Sequence, residues 1–337
     1  MTSRLKQLIA VIVILGGAAV ATWYVWSRYA KSAGGDVDSV ASASSSAGDE
    51  IEPAYGSVEG EAKSPTQTKP AGGNPVAAKA YASGVELMKA GKLIEARNQL
   101  TKALKSGELD EGLTKEARAA LTELANKTIL SATVYDGDPY TFSYTFKPKE
   151  ILERIERRDG LHVPPEIILK INGIADATKI QAGQSLKMIR GPFHAVVHKS
   201  QFAMDVYLQE TFVRRFRIGI GAPQTPTPEG FFCVRRGGKL RGAPYTPPPS
   251  SGLPQRAILP GEDGYPLDKH GHWIGLTGIA EKGTNYTAQD GYGIHGTNDP
   301  ASVGKAASHG CIRLIDADIE MVFAMLYDKY STVEIRP

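Results

Sequence analysis

The stretch Y-G-I-H-G-T-N-D-P-A-S-V-G-K-A-A-S-H-G-C-I-R-L, from Tyr292 to Leu314, brings two His-Gly pairs and a cysteine into 23 residues. A nucleophilic cysteine needs a thiolate, a base to take its proton, and donors for the oxyanion that forms on attack. Cys311 is the candidate nucleophile. His295 and His309 are the candidate bases, because a nearby imidazole brings a thiol down from its ordinary value of about 8.5. Gly310 removes a side chain beside Cys311, so backbone N–H groups can approach a substrate carbonyl and form an oxyanion hole. The same residues admit a metal reading, in which His270-x-His272, His295 and His309-x-Cys311 supply ligands if their strands converge. No His-x3-His or His-Glu-x-x-His helix accompanies them. Cys233, between Phe232 and Val234, reads as an inert buried thiol.

The Tyr292–Leu314 stretch is similar to the signature of the YkuD-type L,D-transpeptidases, bacterial cell-wall enzymes with a mainly β, sandwich-like catalytic domain. The resemblance runs from about Phe193 to Pro337. It includes T-P-T-P-E-G from Thr225 to Gly230, W-I-G-L from Trp273 to Leu276, and a final helix and strand. It implies Cys311 as nucleophile and His295 as general base, with the carbonyl of Gly296 orienting the imidazole. Ser308, His309 and Gly310 would shape the oxyanion site. Arg313, Tyr292 and Thr297 would face the substrate, Arg313 offering paired donors to a carboxylate where some family members carry Asn. The implied reaction joins the third residues of two peptidoglycan stem peptides through a Cys311 thioester, with no metal and no organic cofactor. An L,D-carboxypeptidase, with water as acceptor, and a non-catalytic peptidoglycan-binding scaffold are the alternatives.

Upstream, residues 138–190 read as strand, helix, helix, strand. I-L-K-I-N-G-I from Ile168 to Ile174 and I-Q-A-G-Q-S-L-K-M from Ile180 to Met188 resemble the second half of a LysM module, a βααβ unit that binds peptidoglycan glycan strands. Lys147-Pro148-Lys149-Glu150 departs from that family's first turn. Residues 76–132 carry helical periodicity, with Leu87, Leu93, Leu100 and Leu104 recurring around a break at Gly91-Lys92. The spacing of small and large residues there resembles one tetratricopeptide hairpin, a unit that offers a face to a protein partner. Residues 32–75 are rich in Ser, Ala, Gly and Pro with seven acidic residues, and read as a disordered tether. Within residues 1–31, Leu8 to Trp26 form 19 positions without a charge, enough to cross a bilayer as a helix, and Trp23, Tyr24 and Trp26 suit its interface. Ala19-Val20-Ala21 also fits a signal-peptidase site.

The expected architecture is therefore multidomain. A transmembrane segment, a tether, a helical hairpin and a LysM-like unit precede the β-rich catalytic domain of residues 191–337. Its expected place is the extracytoplasmic side of a bacterial cell envelope, anchored to the inner membrane. The 337 residues carry a net charge of +3, and no basic field marks a nucleic-acid binder. Two cysteines exclude a disulfide scaffold. Within the last region, runs at 194–199, 203–209 and 212–220 read as strands, and Asp316 to Tyr327 as a helix with Asp316 as N-cap. Gly237 to Lys269, with seven prolines in 33 residues, reads as a long loop placed to cover the cleft.

Overall fold

Three helices open the described part of the chain, and the first and third begin where a side chain satisfies a free backbone donor. The computed structural model describes residues 73–247, 255–287 and 290–337, so the expected anchor and nearly all of the tether lie outside them. Among the described residues no helix is long and apolar enough to cross a membrane. Helix α1 (Pro75–Lys89) has Asn74 accepting from the Val76 N–H at 2.8 Å and proline at its first position. It turns at Gly91, in the left-handed region with φ +74°, into α2 (Leu93–Lys105). Asp110 caps α3 (Glu111–Thr128) by accepting from Leu113 N at 2.8 Å. Gly84 lets α1 approach α2 closely, since a Cβ there would lie 2.6 Å from Leu100 Cγ.

The unit that follows is built βααβ. Strand β1 (Thr141–Thr145) pairs antiparallel with β2 (Ser185–Ile189), and α4 (Leu152–Arg158) and α5 (Pro165–Ile171) lie between them in sequence. Asn172 ties the end of α5 to β2: its side chain donates to the Lys187 carbonyl at 2.9 Å and accepts from the Lys187 N–H at 2.9 Å. Ile155, Ile167, Ile168 and Met188 fill its core.

The remaining residues form an eight-stranded sheet. Its strands are β3 (Phe193–His198), β4 (Ala203–Leu208), β5 (Thr211–Arg217), β7 (Gly230–Leu240), β8 (Trp273–Gly278), β9 (Gly293–Gly296), β11 (Ile312–Leu314) and β12 (Thr332–Arg336). The spatial order is β11-β9-β8-β7-β12-β3-β4-β5. Neighbours run antiparallel except β11 with β9 and β12 with β3. A separate parallel pair joins β6 (Ile220–Gly221) to β10 (Ala306–Ser308). Helix α6 (Asp316–Met325) packs Ile319, Val322 and Phe323 into the same core. Its N-cap is Ile315 rather than Asp316, which sits in the first turn, where its charge complements the helix dipole. The strand expected over 212–220 is split, because Ile220 leaves the sheet to pair with β10. The expected loop begins at Arg241 rather than Gly237, since β7 extends to Leu240 through a bulge.

An exposed sheet edge is a liability unless it is covered. At the β5 edge the helices do the covering. Leu100, Leu104, Leu121 and Leu124 share a core with Phe212 of β5 and Tyr207 of β4. Arg118 of α3 reaches Asp205 of β4 at 3.4 Å, where Arg215 already pairs in a fork at 2.6 and 2.8 Å. The apolar stripe of the helices thus packs on the chain's own sheet. The other edge, β11 on β9, holds the candidate site residues His295 and Arg313, with Cys311 just before it.

Candidate active site

Strand β9 places His295 between two neighbours, Trp273 of β8 and Arg313 of β11, each directly opposite it in the pairing. Opposed residues in a sheet project to one face. The Trp273 ring stacks on the imidazole with centroids 5.5 Å apart and planes 18° from parallel. Cys311 precedes β11 by one residue and Arg313 by two, so the period of two directs Cys311 to the face that carries Arg313 and His295. The thiol is half-buried and lies 3.6 Å from the Gly291 carbonyl.

The polarity of His295 follows from one hydrogen bond. Its Nδ1 lies 2.6 Å from the Gly296 carbonyl oxygen, which only accepts, so Nδ1 carries the proton and Nε2 keeps its lone pair. Burial pushes the imidazole down to about 4; Arg313 adds to that shift, while the Gly296 carbonyl and Asp268 oppose it. Burial likewise pushes the Cys311 thiol up to about 11, against a backbone hydrogen bond from Gly293 and the charge of Arg313. Both shifts favour the uncharged forms.

The turn before Cys311 is held by Ser308. Its hydroxyl donates to the Cys311 carbonyl at 2.6 Å and accepts from the Gly310 N–H at 3.1 Å, while its own carbonyl accepts from Ala222 N and Thr225 Oγ1. With its hydrogen so committed, Ser308 shapes the turn. Gly310 has φ +109°, and a Cβ there would lie 2.6 Å from the Tyr292 ring. Both conditions demand glycine. Tyr292 therefore floors the turn, His309 is exposed beside it, and Thr297 is buried just beyond β9, its N–H bonded to the Leu314 carbonyl.

A family model of the L,D-transpeptidase catalytic domain, YkuD, matches residues 192–335. Those residues are a YkuD L,D-transpeptidase catalytic domain. A Bacillus licheniformis protein carrying the name L,D-transpeptidase YkuD is 26% identical over 200 residues, which cover 58% of this chain and 98% of the relative. A Bacillus subtilis protein carrying the name L,D-transpeptidase YqjB is 32% identical over 133 residues, covering 40% of this chain and 65% of the relative. Among solved structures, an L,D-transpeptidase from Mycobacterium smegmatis is similar at 17% identity with a TM-score of 0.34, covering 46% of this chain and 64% of that one.

Several residues around the candidate site carry no signal in the sequence. Trp273 was visible only as part of a segment. Asp268 and Arg241 belong to no motif in the sequence, and His272 reads there only as a metal ligand. In the structure His272 is fully buried between Asp268 and Arg241, with Nδ1 2.7 Å from Asp268 Oδ2 and Nε2 2.7 Å from Arg241 Nη1. Both ring nitrogens are thus already engaged. Among the described residues no three His, Cys, Asp or Glu side chains cluster in a manner suited to a metal ion.

The described parts of the expected loop are folded. Tyr245 and Ile258 exchange backbone hydrogen bonds at 2.9 and 2.7 Å, and Ala243, Ile258, Tyr265 and Leu267 form a small core against Trp273. Burial raises the Tyr245 hydroxyl, Arg313 lowers it and Cys311 raises it, so this side chain lies within electrostatic reach of the site. Arg313 keeps a buried Nε without a hydrogen-bond partner, while its backbone is fixed to Gly219 by two bonds of 2.9 Å.

Proposed function

We propose that the chain is a peptidoglycan L,D-transpeptidase that works through a thioester on Cys311. The observation that carries this reading is the Nδ1–H of His295 bound to the Gly296 carbonyl, which leaves Nε2 as a proton acceptor on the sheet face to which Cys311 is directed. In the proposed reaction His295 takes the Cys311 proton as sulfur attacks the carbonyl of the third residue of a tetrapeptide stem. Backbone donors of the Gly310 turn stabilise the oxyanion. The bond to the fourth residue breaks, and His295 returns the proton to the departing amine of D-Ala. The side-chain amine of a second stem then attacks the thioester, His295 takes its proton, and the thiol is regenerated.

Arg313, with an unpartnered Nε beside Cys311 and His295, is the proposed carboxylate-recognising group of the donor stem. The βααβ unit is proposed as a LysM-like contact to glycan strands, and the N-terminal apolar segment as the attachment to the inner membrane on the extracytoplasmic side.

The test is mass spectrometry of products after incubation with purified disaccharide-tetrapeptide. Wild-type protein is expected to give a dimer with loss of one D-Ala, and Cys311→Ser to give none. Tripeptide without dimer would assign a carboxypeptidase. Turnover by Cys311→Ser equal to wild type would overturn the thioester.

A further inference from the structure

The insertion between β7 and β8 carries a polar cluster of Asp268, His272 and Arg241 that packs against the strand holding His295. Asp268 is 1% exposed and His272 fully buried. Asp268 Oδ1 accepts from the His272 N–H at 2.8 Å, and Oδ2 faces His272 Nδ1 at 2.7 Å and accepts from the His270 N–H at 3.1 Å. The other ring nitrogen meets Arg241 Nη1. A guanidinium only donates, so Nε2 accepts and Nδ1–H donates to Asp268. Burial works against the Asp268 charge, but hydrogen bonds from the His272 side chain and backbone outweigh it and hold the carboxyl below its ordinary range.

This relay abuts the mount of His295 on two sides. Gly296, whose carbonyl orients the imidazole, is pressed against Asp268: a Cβ on Gly296 would lie 2.5 Å from Asp268 Oδ1 and 2.6 Å from Cγ. His272 immediately precedes Trp273, the ring stacked on His295. The charged groups that act on His295 are Arg313 from β11 and Asp268 from the insertion, and alternation directs the Cys311 thiol to the same face. Arg313 opposes an imidazolium. Asp268 favours one.

We infer that Asp268, held by His272 and Arg241, is a positioning residue for His295 that fixes the Gly296 carbonyl and stabilises the imidazolium formed when His295 takes the Cys311 proton. The inference rests on His295 being that proton acceptor. It also explains why the residue after His295 is glycine, since the carboxylate occupies the space of its side chain.

The experiment uses the full-length chain and a carbapenem as acylating probe, with acylation followed by mass spectrometry across pH and His295 followed by 15N-histidine NMR. Asp268→Asn preserves shape and removes the charge. It is expected to slow acylation at neutral pH about three- to tenfold and to move the His295 titration down by about half a pH unit or more. A loss of thermal stability with the His295 titration unmoved would make Asp268 a brace only and overturn the proposal. If that variant does not fold, Asp268→Ser, which keeps an acceptor for the His272 N–H, is read in the same way. His295→Ala separates the two readings. If it acylates like wild type, the base assignment fails; if it is inactive and Asp268→Asn leaves the titration in place, only the present inference fails.

Discussion

At the scale of single residues, burial decides the resting state of the proposed dyad. The same desolvation that lifts the Cys311 thiol depresses the His295 imidazole, so the uncharged pair is favoured over a thiolate-imidazolium pair until substrate arrives. A raised thiol value means that the thiolate fraction grows as pH rises, about tenfold per pH unit below that value. In a Cys233→Ser background, alkylation of Cys311 by iodoacetamide should therefore climb through about pH 9 with no plateau between about pH 6 and pH 8. A plateau there would mean a preformed thiolate. His295→Ala should leave that alkylation nearly unchanged yet slow acylation about a hundredfold, because only the second process needs proton transfer. Cys311, His295 and their glycines stood out in the sequence because they fall in two short segments with a distinctive local pattern. Asp268 did not. It lies in an insertion whose composition carries no period, 28 residues before Gly296, and only folding brings the two together. His272 misled for a related reason, since spacing displays ligand atoms but not the arginine and carboxylate that already engage them.

At the scale of elements, alternation and helical period named most strands and helices. They failed where partners at long range decide the outcome. Ile220 continues the β5 pattern in sequence but pairs with Ala306, 86 positions on, and β10 is too short to show any alternation. Nor did the helical period reveal what its apolar stripe meets. That partner is the β5 edge, and Phe212 is its fully buried anchor among Leu100, Leu121 and Leu124, with Tyr207 edge-on at 5.6 Å. Phe212→Ala should cost about 3 to 5 kcal/mol in denaturant unfolding and expose an unpaired strand edge, with light scattering rising at protein concentrations where wild type stays clear. A loss below about 1 kcal/mol would show that the helices merely rest on the sheet.

At the scale of the whole molecule, the helices, the βααβ unit and the sheet share more than adjacency. One contiguous core runs from Ala125 and Ile129 at the end of α3, through Ile155, Ile168 and Met188, to Val197, Phe232 and Ile319 of the YkuD domain. A buried polar network lies across the first two: Arg97 of α2 pairs with Asp138 at 2.8 Å and donates to Thr128 Oγ1 at 3.0 Å, and Lys187 of β2 donates to the Thr128 and Thr133 carbonyls at 2.6 and 2.7 Å. Lys187 is 2% exposed, and burial pushes its ammonium down to about 8. A composition-based division into separate modules predicts separate unfolding transitions, whereas a shared core predicts a single one. Calorimetry should therefore show one transition for the helices, the βααβ unit and the sheet together. Arg97→Met tests the coupling directly, because it leaves Asp138 as an uncompensated charge at a site 0% exposed on its side chain. Removing one partner of such a pair costs about 3 to 5 kcal/mol. If the units are coupled, that cost should lower the whole transition, including the near-ultraviolet signal of Trp273 beside His295, far from the substitution. If they are independent, a low-temperature transition should separate from an unshifted main one, and the Trp273 signal should stay with the latter.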